Sequence, residues 1–264
     1  MFVPVQRRSM ILVAIFGALS ALAQPAAAAE SVGSANKAAL VSPTLTIPVG
    51  GKSNPRVALT LDACSGKVDR RILDTLVAKR IPATLFVTAR WLRNNAAAVE
   101  TLKQNPDLFD LENHGGEHLA AVFDRATVEG VRTVGTTDGL TKEIDGGGDA
   151  IRAVGGNPRW YRGATALYSP AALPIVSAAG YRVAGYSLNA DQGASLPART
   201  VARRIAAARD GDVIIAHINQ PTRDSGAGVA EGVLALQAKG YRFMRLTETL
   251  GPFRQRRNHA IPDG

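Results

Sequence analysis

Val57-Ala-Leu-Thr-Leu61, closed by Asp62 and followed after a short Cys-Ser-Gly turn by Val68–Lys79, sets the repeating unit of this chain. An apolar and β-branched run without polar interruption predicts a strand buried on both faces, the habit of parallel sheets covered by helices. In Val68–Lys79, Ile72, Leu73, Leu76 and Val77 share one face at helical spacing, so helix follows strand. Both parallel architectures open to such a chain, the barrel and the doubly wound sheet, gather functional groups at the carboxyl ends of strands. Asp62 sits at such an end.

Outward from this unit the alternation continues. Ala83–Thr88 reads as a strand and Trp91–Lys103 as a helix, with a short third strand at Phe109–Glu112. Trp160–Arg162, Arg182–Ser187, Val213–His217 and Tyr241–Leu246 supply the later strands. Helices fit Pro170–Ala179, Pro197–Ala208 and Val229–Lys239, with Gly180 and Gly240 where C-caps are wanted. A helix near Thr141–Val154 is interrupted by Gly146-Gly147-Gly148, at about 1 kcal/mol per Gly relative to Ala, and the sequence gives no reason for it. About seven βα units make an α/β fold, with an open or incomplete barrel the first choice and a doubly wound sheet the alternative.

Residues 1–29 read as a secretory signal. Arg7 and Arg8 precede the apolar Met10–Ala23, and Ala27-Ala28-Ala29 offers a small-residue cleavage site. The apolar run is shorter than the ~20 residues of a spanning helix, so no transmembrane segment is expected after cleavage. The expected location is periplasmic or extracellular. Residues 30–55, rich in Ser, Ala, Gly and Pro, read as a flexible leader; 56–250 form the domain; 251–264 form a basic tail that includes His259. Cleavage removes Arg7 and Arg8, two of the excess positive charges behind the +9 of the whole chain. What remains is still basic and is attracted to an anionic cell-envelope surface. Nucleic acid is set aside, because no basic run is interleaved with aromatics and only 5% of residues are aromatic. The single cysteine, Cys64, excludes an intramolecular disulfide.

Polar residues cluster at the predicted strand ends: Asp62, His114 with His118, Arg162 and His217. In His114-Gly-Gly-Glu-His118 two imidazoles four residues apart would share one side of a helical turn and present two nitrogens to a first-row metal. The same stretch fits the H-x-x-E-H pattern of inverted zinc peptidases. Gly115-Gly116 opposes the helix which that pattern needs, and the peptidase reading leaves Asp62, Arg162 and His217 without a role. Asp191, in Asn189-Ala-Asp-Gln-Gly193, reads by itself as a loop residue.

Leu59-Thr-Leu-Asp62, the HxxxH pair, Arg162, a downstream Asp and Ile215-Ala-His217 stand in the order of the polysaccharide deacetylases with the NodB homology domain, carbohydrate esterase family 4. The chain resembles that family from about Arg56 to Leu250. The resemblance implies a distorted seven-stranded (β/α) barrel and a hydrolase that removes N-acetyl groups from an N-acetylated polysaccharide: peptidoglycan, exopolysaccharide or a chitin-like polymer. It implies a divalent metal, zinc first, with cobalt or manganese as alternatives. It makes Asp62 the general base, His114 and His118 metal ligands, and Arg162 the group that orients the base. Asp191 becomes the carboxylate that tunes a catalytic histidine, and His217 becomes that histidine, the general acid.

The pattern departs from the family at two places. The second Asp of the family motif, usually the third metal ligand, is Ala63 here, and the hydroxy residue that commonly follows the first motif histidine is Gly115. Three repairs of the ligand set exist. Asp62 as a ligand ranks first; the Cys64 thiolate, whose ordinary reading is a buried inert cysteine, and an oxygen from Asn113 or Glu117 are the others. Without any of them the chain would be a catalytically degenerate, carbohydrate-binding relative.

Overall fold

In a computed structural model of the chain, Met1 and residues 38–249 are described. The chain divides into two units, residues 1–36 and 37–264, and the fold below is that of the second. Apart from Met1, the signal segment, the leader up to residue 37, Leu250 and the tail 251–264 with His259 lie outside the described residues.

Among the described residues the strands are, in chain order, β1 (Arg56–Ala63), β2 (Ala83–Val87), β3 (Phe109–Asn113), β4 (Thr127–Val128) and β5 (Val131–Arg132), then β6 (Trp160–Tyr161), β7 (Arg182–Val183), β8 (Leu188–Asn189), β9 (Val213–His217) and β10 (Arg242–Met244). The helices are α1 (Arg70–Ala78), α2 (Ala89–Asn94), α3 (Ala96–Lys103), α4 (Thr137–Ala153), α5 (Ala172–Ala178), α6 (Ala198–Ala206) and α7 (Ser225–Ala238).

The main sheet runs β7-β6-β3-β2-β1-β9-β8, all pairings parallel, and β4–β5 form a separate antiparallel hairpin. β1 is its hub. Ala58 pairs with Val213 on one edge and Met244 on the other, and Thr60 with Ile215 and Thr84, so β10 and β2 share the edge opposite β9. β7 and β8 end opposite sides of this path, yet only residues 184–187 join them. A chain spans at most about 3.6 Å per residue, so the two ends of the sheet must lie close together. The sheet therefore curls into a distorted, incompletely hydrogen-bonded (β/α) barrel, and the doubly wound alternative falls.

Strand parity divides the core. Val57, Leu59, Leu61 and Ala63 point outward, packing with Ile72, Leu73 and Leu76 of α1 and Val229, Val233 and Leu236 of α7. Ala58 points inward with Phe86, Trp160, Ala184, Val213 and Leu246. Successive side chains alternate faces, so Thr60 and Asp62 continue the inward row toward the carboxyl end. Apolar residues fill the barrel below and polar ones stand at its mouth.

Several boundaries differ from the sequence reading, each for a local reason. Trp91–Lys103 is two helices broken at Asn95, whose Oδ1 accepts from Val68 N (2.9 Å) and whose Nδ2 donates to Gly66 O (3.1 Å), tying the break to the loop after β1. Arg182–Ser187 is not one strand. Gly185 lies against the segment before the domain, where an added Cβ would meet Pro43 O at 1.9 Å. That segment was expected to be a free leader, but Val41 exchanges two hydrogen bonds with Tyr168 and Ile47 N donates to Gly211 O. Ile47 enters the interior cluster, so part of the leader is strapped to the barrel, a partnership that composition does not reveal. The helix over the triple glycine is intact as α4. A Cβ at Gly147 would meet Asn113 Oδ1 at 2.1 Å and Gly115 at 2.7 Å, and one at Gly148 would meet Tyr181 Oη at 2.3 Å. The glycines let α4 lie against the loop after β3, which is worth more here than helix propensity.

Candidate active site

Asp62 and His217 are register partners at the carboxyl ends of the neighbouring strands β1 and β9. Parity turns both inward. Arg162 follows β6, its N–H donating to Asn113 O at 2.9 Å. It is fully buried and still satisfied: the guanidinium donates to Asp62 Oδ1 (2.7 Å), Thr60 Oγ1 (3.0 Å), Gly185 O (3.0 Å) and Ala184 O (3.3 Å), and lies 4.1 Å from the Phe86 ring centroid. Burial pushes the Asp62 carboxyl up, but Arg162, then His114 and His217, outweigh it and hold its pKa below the ordinary 3.8. Asp62 is therefore favoured as a carboxylate and oriented by Arg162.

Asp191, buried, accepts from His217 N through Oδ2 at 2.7 Å and sits with Oδ1 3.0 Å from His217 Nδ1. Burial works against charge on this imidazole, but Asp191 and Cys64 overcome it and raise its pKa well above 6.5. With Nδ1 engaged by Asp191, Nε2 is the ring nitrogen left to face the cleft.

The loop carrying His114 and His118 is not the helical turn that the spacing suggested. Residues 114–118 are irregular, with positive φ at Gly115 (89°) and His118 (63°). Gly115 also needs its missing side chain, since a Cβ there would meet Glu143 Oε1 at 2.2 Å. Glu143, buried on α4, accepts from the N–H groups of Glu117 (3.0 and 3.1 Å) and Leu119 (2.9 Å), and its carbonyl accepts from Gly116 N (2.9 Å). It shapes the loop, and nothing in the sequence singled it out. The imidazoles still meet, with ring centroids 5.0 Å apart. His114 Nδ1 lies 2.6 Å from the Arg162 carbonyl. A carbonyl can only accept, so Nδ1 carries a proton, and Nε2 is the ring nitrogen turned to Cys64 and Asp62; a backbone carbonyl on the far nitrogen is the arrangement common to metal-ligating histidines.

Of the possible third ligands, the one drawn into this group is Cys64. Its Sγ is 3.6 Å from His114 Nε2, and ligand atoms of Cys64, His114 and His118 lie within 4.8 Å of one another. Burial raises the thiol pKa, but His114, His118 and His217 reverse this and hold it well below 9.0. Asp62, ranked first on sequence, stands outside the group: Arg162 takes Oδ1, and Oδ2 is 3.8 Å from His114 Nε2. Asn113 is spent on Gly115 N and Ile144 O, and Glu117 turns outward to Arg90 and Arg93. With Glu117 turned away and no helix formed, the H-x-x-E-H peptidase arrangement is absent. The sulfur and nitrogen donors fit a first-row divalent metal.

Asp62, Cys64, His114, His118 and His217 share a cleft of about 380 Å³. A cavity of about 740 Å³ beside Asp110, Glu112 and Arg159 is larger, but it lies near the start of β3 and has no histidine or cysteine in its lining. The polar side chains of the strand ends are gathered in the smaller one.

A sequence model described as polysaccharide deacetylase matches residues 50–184. Among solved structures, the chain is similar to a peptidoglycan N-acetylglucosamine deacetylase at 19% identity and TM-score 0.64, covering 78% of this chain and 91% of that one. It is similar to a peptidoglycan deacetylase from Bacillus subtilis at 22% identity and TM-score 0.58, covering 74% and 89%. It is also similar to a CE4 family pseudoenzyme from Bacillus anthracis at 17% identity and TM-score 0.59, covering 75% of this chain and 66% of that one. No curated protein matches the sequence.

Proposed function

The chain belongs to the polysaccharide deacetylase family, and from that premise we propose that it is an exported, metal-dependent hydrolase that removes N-acetyl groups from a polysaccharide of the cell envelope or its surroundings. One observation carries the reading: an Arg-held carboxyl group and an Asp-held imidazole sit in register on adjacent strands, beside a sulfur and nitrogen donor group, in one cleft. Amide hydrolysis needs this division of labour, because water must lose a proton as it attacks and the amine must gain one as it leaves.

Asp62 accepts the proton of the attacking water, and Arg162 keeps the carboxylate ionised and aimed. His217 donates through Nε2 to the departing sugar nitrogen, while Asp191 holds Nδ1 and steadies the charge. His114 and His118 would hold a divalent metal, which when bound would supply Lewis acidity to acidify water and polarise the carbonyl. A basic surface favours residence at an anionic envelope. The signal segment that motivates export lies outside the described residues.

Ala63 favours a second reading, a sugar-binding relative without turnover, and one similar structure is a CE4 family pseudoenzyme. Acetate release decides between them. Purified protein with zinc, cobalt or manganese should liberate acetate from peptidoglycan or from an N-acetylglucosamine polymer. Chelation should abolish this, and His217→Ala should lower kcat roughly 10²- to 10⁴-fold with metal still bound. Sugar binding by calorimetry without acetate from any of these polymers would establish the second reading.

A further inference from the structure

We propose that the Cys64 thiolate is the third protein ligand of the metal, standing in for a carboxylate and giving a Cys-His-His centre with an open fourth position. The inference rests on the deacetylase reading for its purpose but not for its geometry. Three facts about the chain carry it.

The first is parity. Ala63 points outward into the core between β1 and the helices and is fully buried there. Two residues beyond the inward-facing Asp62, Cys64 is back at the cleft, where its sulfur lines the cavity with both histidines. The second is distance. Zn–S is about 2.3 Å and Zn–N about 2.0–2.1 Å, so a tetrahedral S–Zn–N angle sets S···N near about 3.6 Å. Cys64 Sγ to His114 Nε2 is 3.6 Å. The same construction for oxygen and nitrogen gives about 3.4 Å, shorter than the 3.8 Å between Asp62 Oδ2 and His114 Nε2. The third is the orientation of His114. With Nδ1 held on the Arg162 carbonyl at 2.6 Å, Nε2 is the ring nitrogen left to face the sulfur side of the cleft.

A thiol–imidazole nucleophile is the competing use of Cys64. It needs one imidazole, and the His217–Asp191 pair would serve; two further histidines around the same sulfur would then have no task. As ligands all three donors are used, and Asp62 remains free to act as the base. Three protein ligands with an open position is the composition of a catalytic zinc site. A thiolate is a soft donor, so this centre takes zinc or cobalt(II) in preference to manganese or magnesium.

Cobalt(II) titration of chelator-treated protein tests this without reference to activity. One equivalent should bind with a thiolate-to-cobalt charge-transfer band in the near ultraviolet. Cys64→Ser should lose the band. Loss of an outer-shell partner alone costs roughly 10- to 100-fold in metal affinity, and loss of this ligand should cost at least that. A measurement on the wild-type chain guards against misfolding of the variant. Cys64 is the only cysteine, so iodoacetamide gives a single adduct by mass spectrometry, and its formation should slow about tenfold or more when zinc is bound. Cobalt bound without the band, alkylation unaffected by zinc, or no binding of either metal would each overturn the thiolate ligand. Acetate released by metal-loaded protein that lacks the band would overturn it and leave the deacetylase standing. The band without acetate release would do the reverse.

Discussion

Arg162→Met should be among the most costly single changes in this barrel, and its cost should depend on pH. Methionine fills much of the arginine stem but removes every donor. Asp62 then remains as a buried carboxylate without its 2.7 Å partner, and the Ala184 and Gly185 carbonyls lose theirs. Breaking a buried pair by removing one member costs about 3–5 kcal/mol, against a total of about 5–15 kcal/mol for a domain. In the wild type the folded pKa of Asp62 lies below 3.8, so its contribution is present above pH 3.8 and is lost as pH falls through the folded value. In Arg162→Met, burial, the largest influence on that carboxyl, is opposed only by His114 and His217, and the folded pKa should rise above 3.8. The penalty should then be small below the unfolded value and grow as pH rises through the raised one. Urea unfolding of chelator-treated protein at pH about 4 and about 7, followed by circular dichroism, measures both. Adding Asp62→Asn to Arg162→Met should recover about 1–3 kcal/mol at neutral pH as a coupling energy. Arg162→Lys, which keeps charge without the fork, should fall between and remain folded if the methionine variant does not. A loss under about 1 kcal/mol, or one equal at the two pH values, would refute the account of Arg162 as the partner that makes a buried, ionised carboxylate tolerable.

Two further predictions concern groups whose roles the fold alone assigns. Gly147→Ala should destabilise by about 1–3 kcal/mol despite its higher helix propensity, because its Cβ would strike Asn113 Oδ1 and Gly115. Gly146→Ala, with only Gly116 Cα within 4 Å and that at 3.6 Å, should be neutral or stabilise by up to about 1 kcal/mol; equal urea midpoints would count against the close approach of α4. Glu112, whose Oε2 accepts from Arg159 N and Trp160 N while buried Oε1 has no hydrogen bond among the described residues, is raised by burial from 4.5 to about 8. Its contribution to stability is complete below pH 4.5 and is lost as pH rises through about 8, by roughly 1.4 kcal/mol per unit in between. Glu112→Gln should flatten that part of the profile of melting temperature against pH, and parallel profiles would sink the claim.

The strand ends were legible because a polar residue closing an apolar run is visible without any partner. Asp62, Arg162 and His217 were each found in that way, and the structure brings all three into contact with one cleft or its lining. Strand parity was not legible. Val57–Leu61 is apolar on both faces, so nothing in the run distinguishes the row that faces the helices from the row that faces the barrel, and Cys64, two residues from Asp62, read as an inert cysteine ahead of a ligand. The His114–His118 spacing pointed to proximity for the wrong reason, a helical turn, whereas left-handed backbone at Gly115 and His118 and the Glu143 carboxylate supply it. Gly146–Gly148 was unintelligible because its cause lies more than thirty residues away in sequence, at Asn113 and Gly115 for one glycine.

Barrel curvature is what makes these separate signals one site. β6 and β1 are three steps apart along the sheet, about 14 Å if it were flat, and parallel side chains on a flat sheet would not meet. Across the curled interior Arg162 reaches Asp62 directly. The same residue works in two directions: its side chain holds Asp62, and its carbonyl holds Nδ1 of His114. Only the first of these depends on the side chain. Arg162→Met should therefore impair the base while leaving the orientation of His114, and with it the sulfur and nitrogen donor group, in place. Asp62 and His114, base and metal ligand in the proposed mechanism, are thus fixed by one position through separable bonds, so the carboxylate can be disturbed without dismantling the donor group.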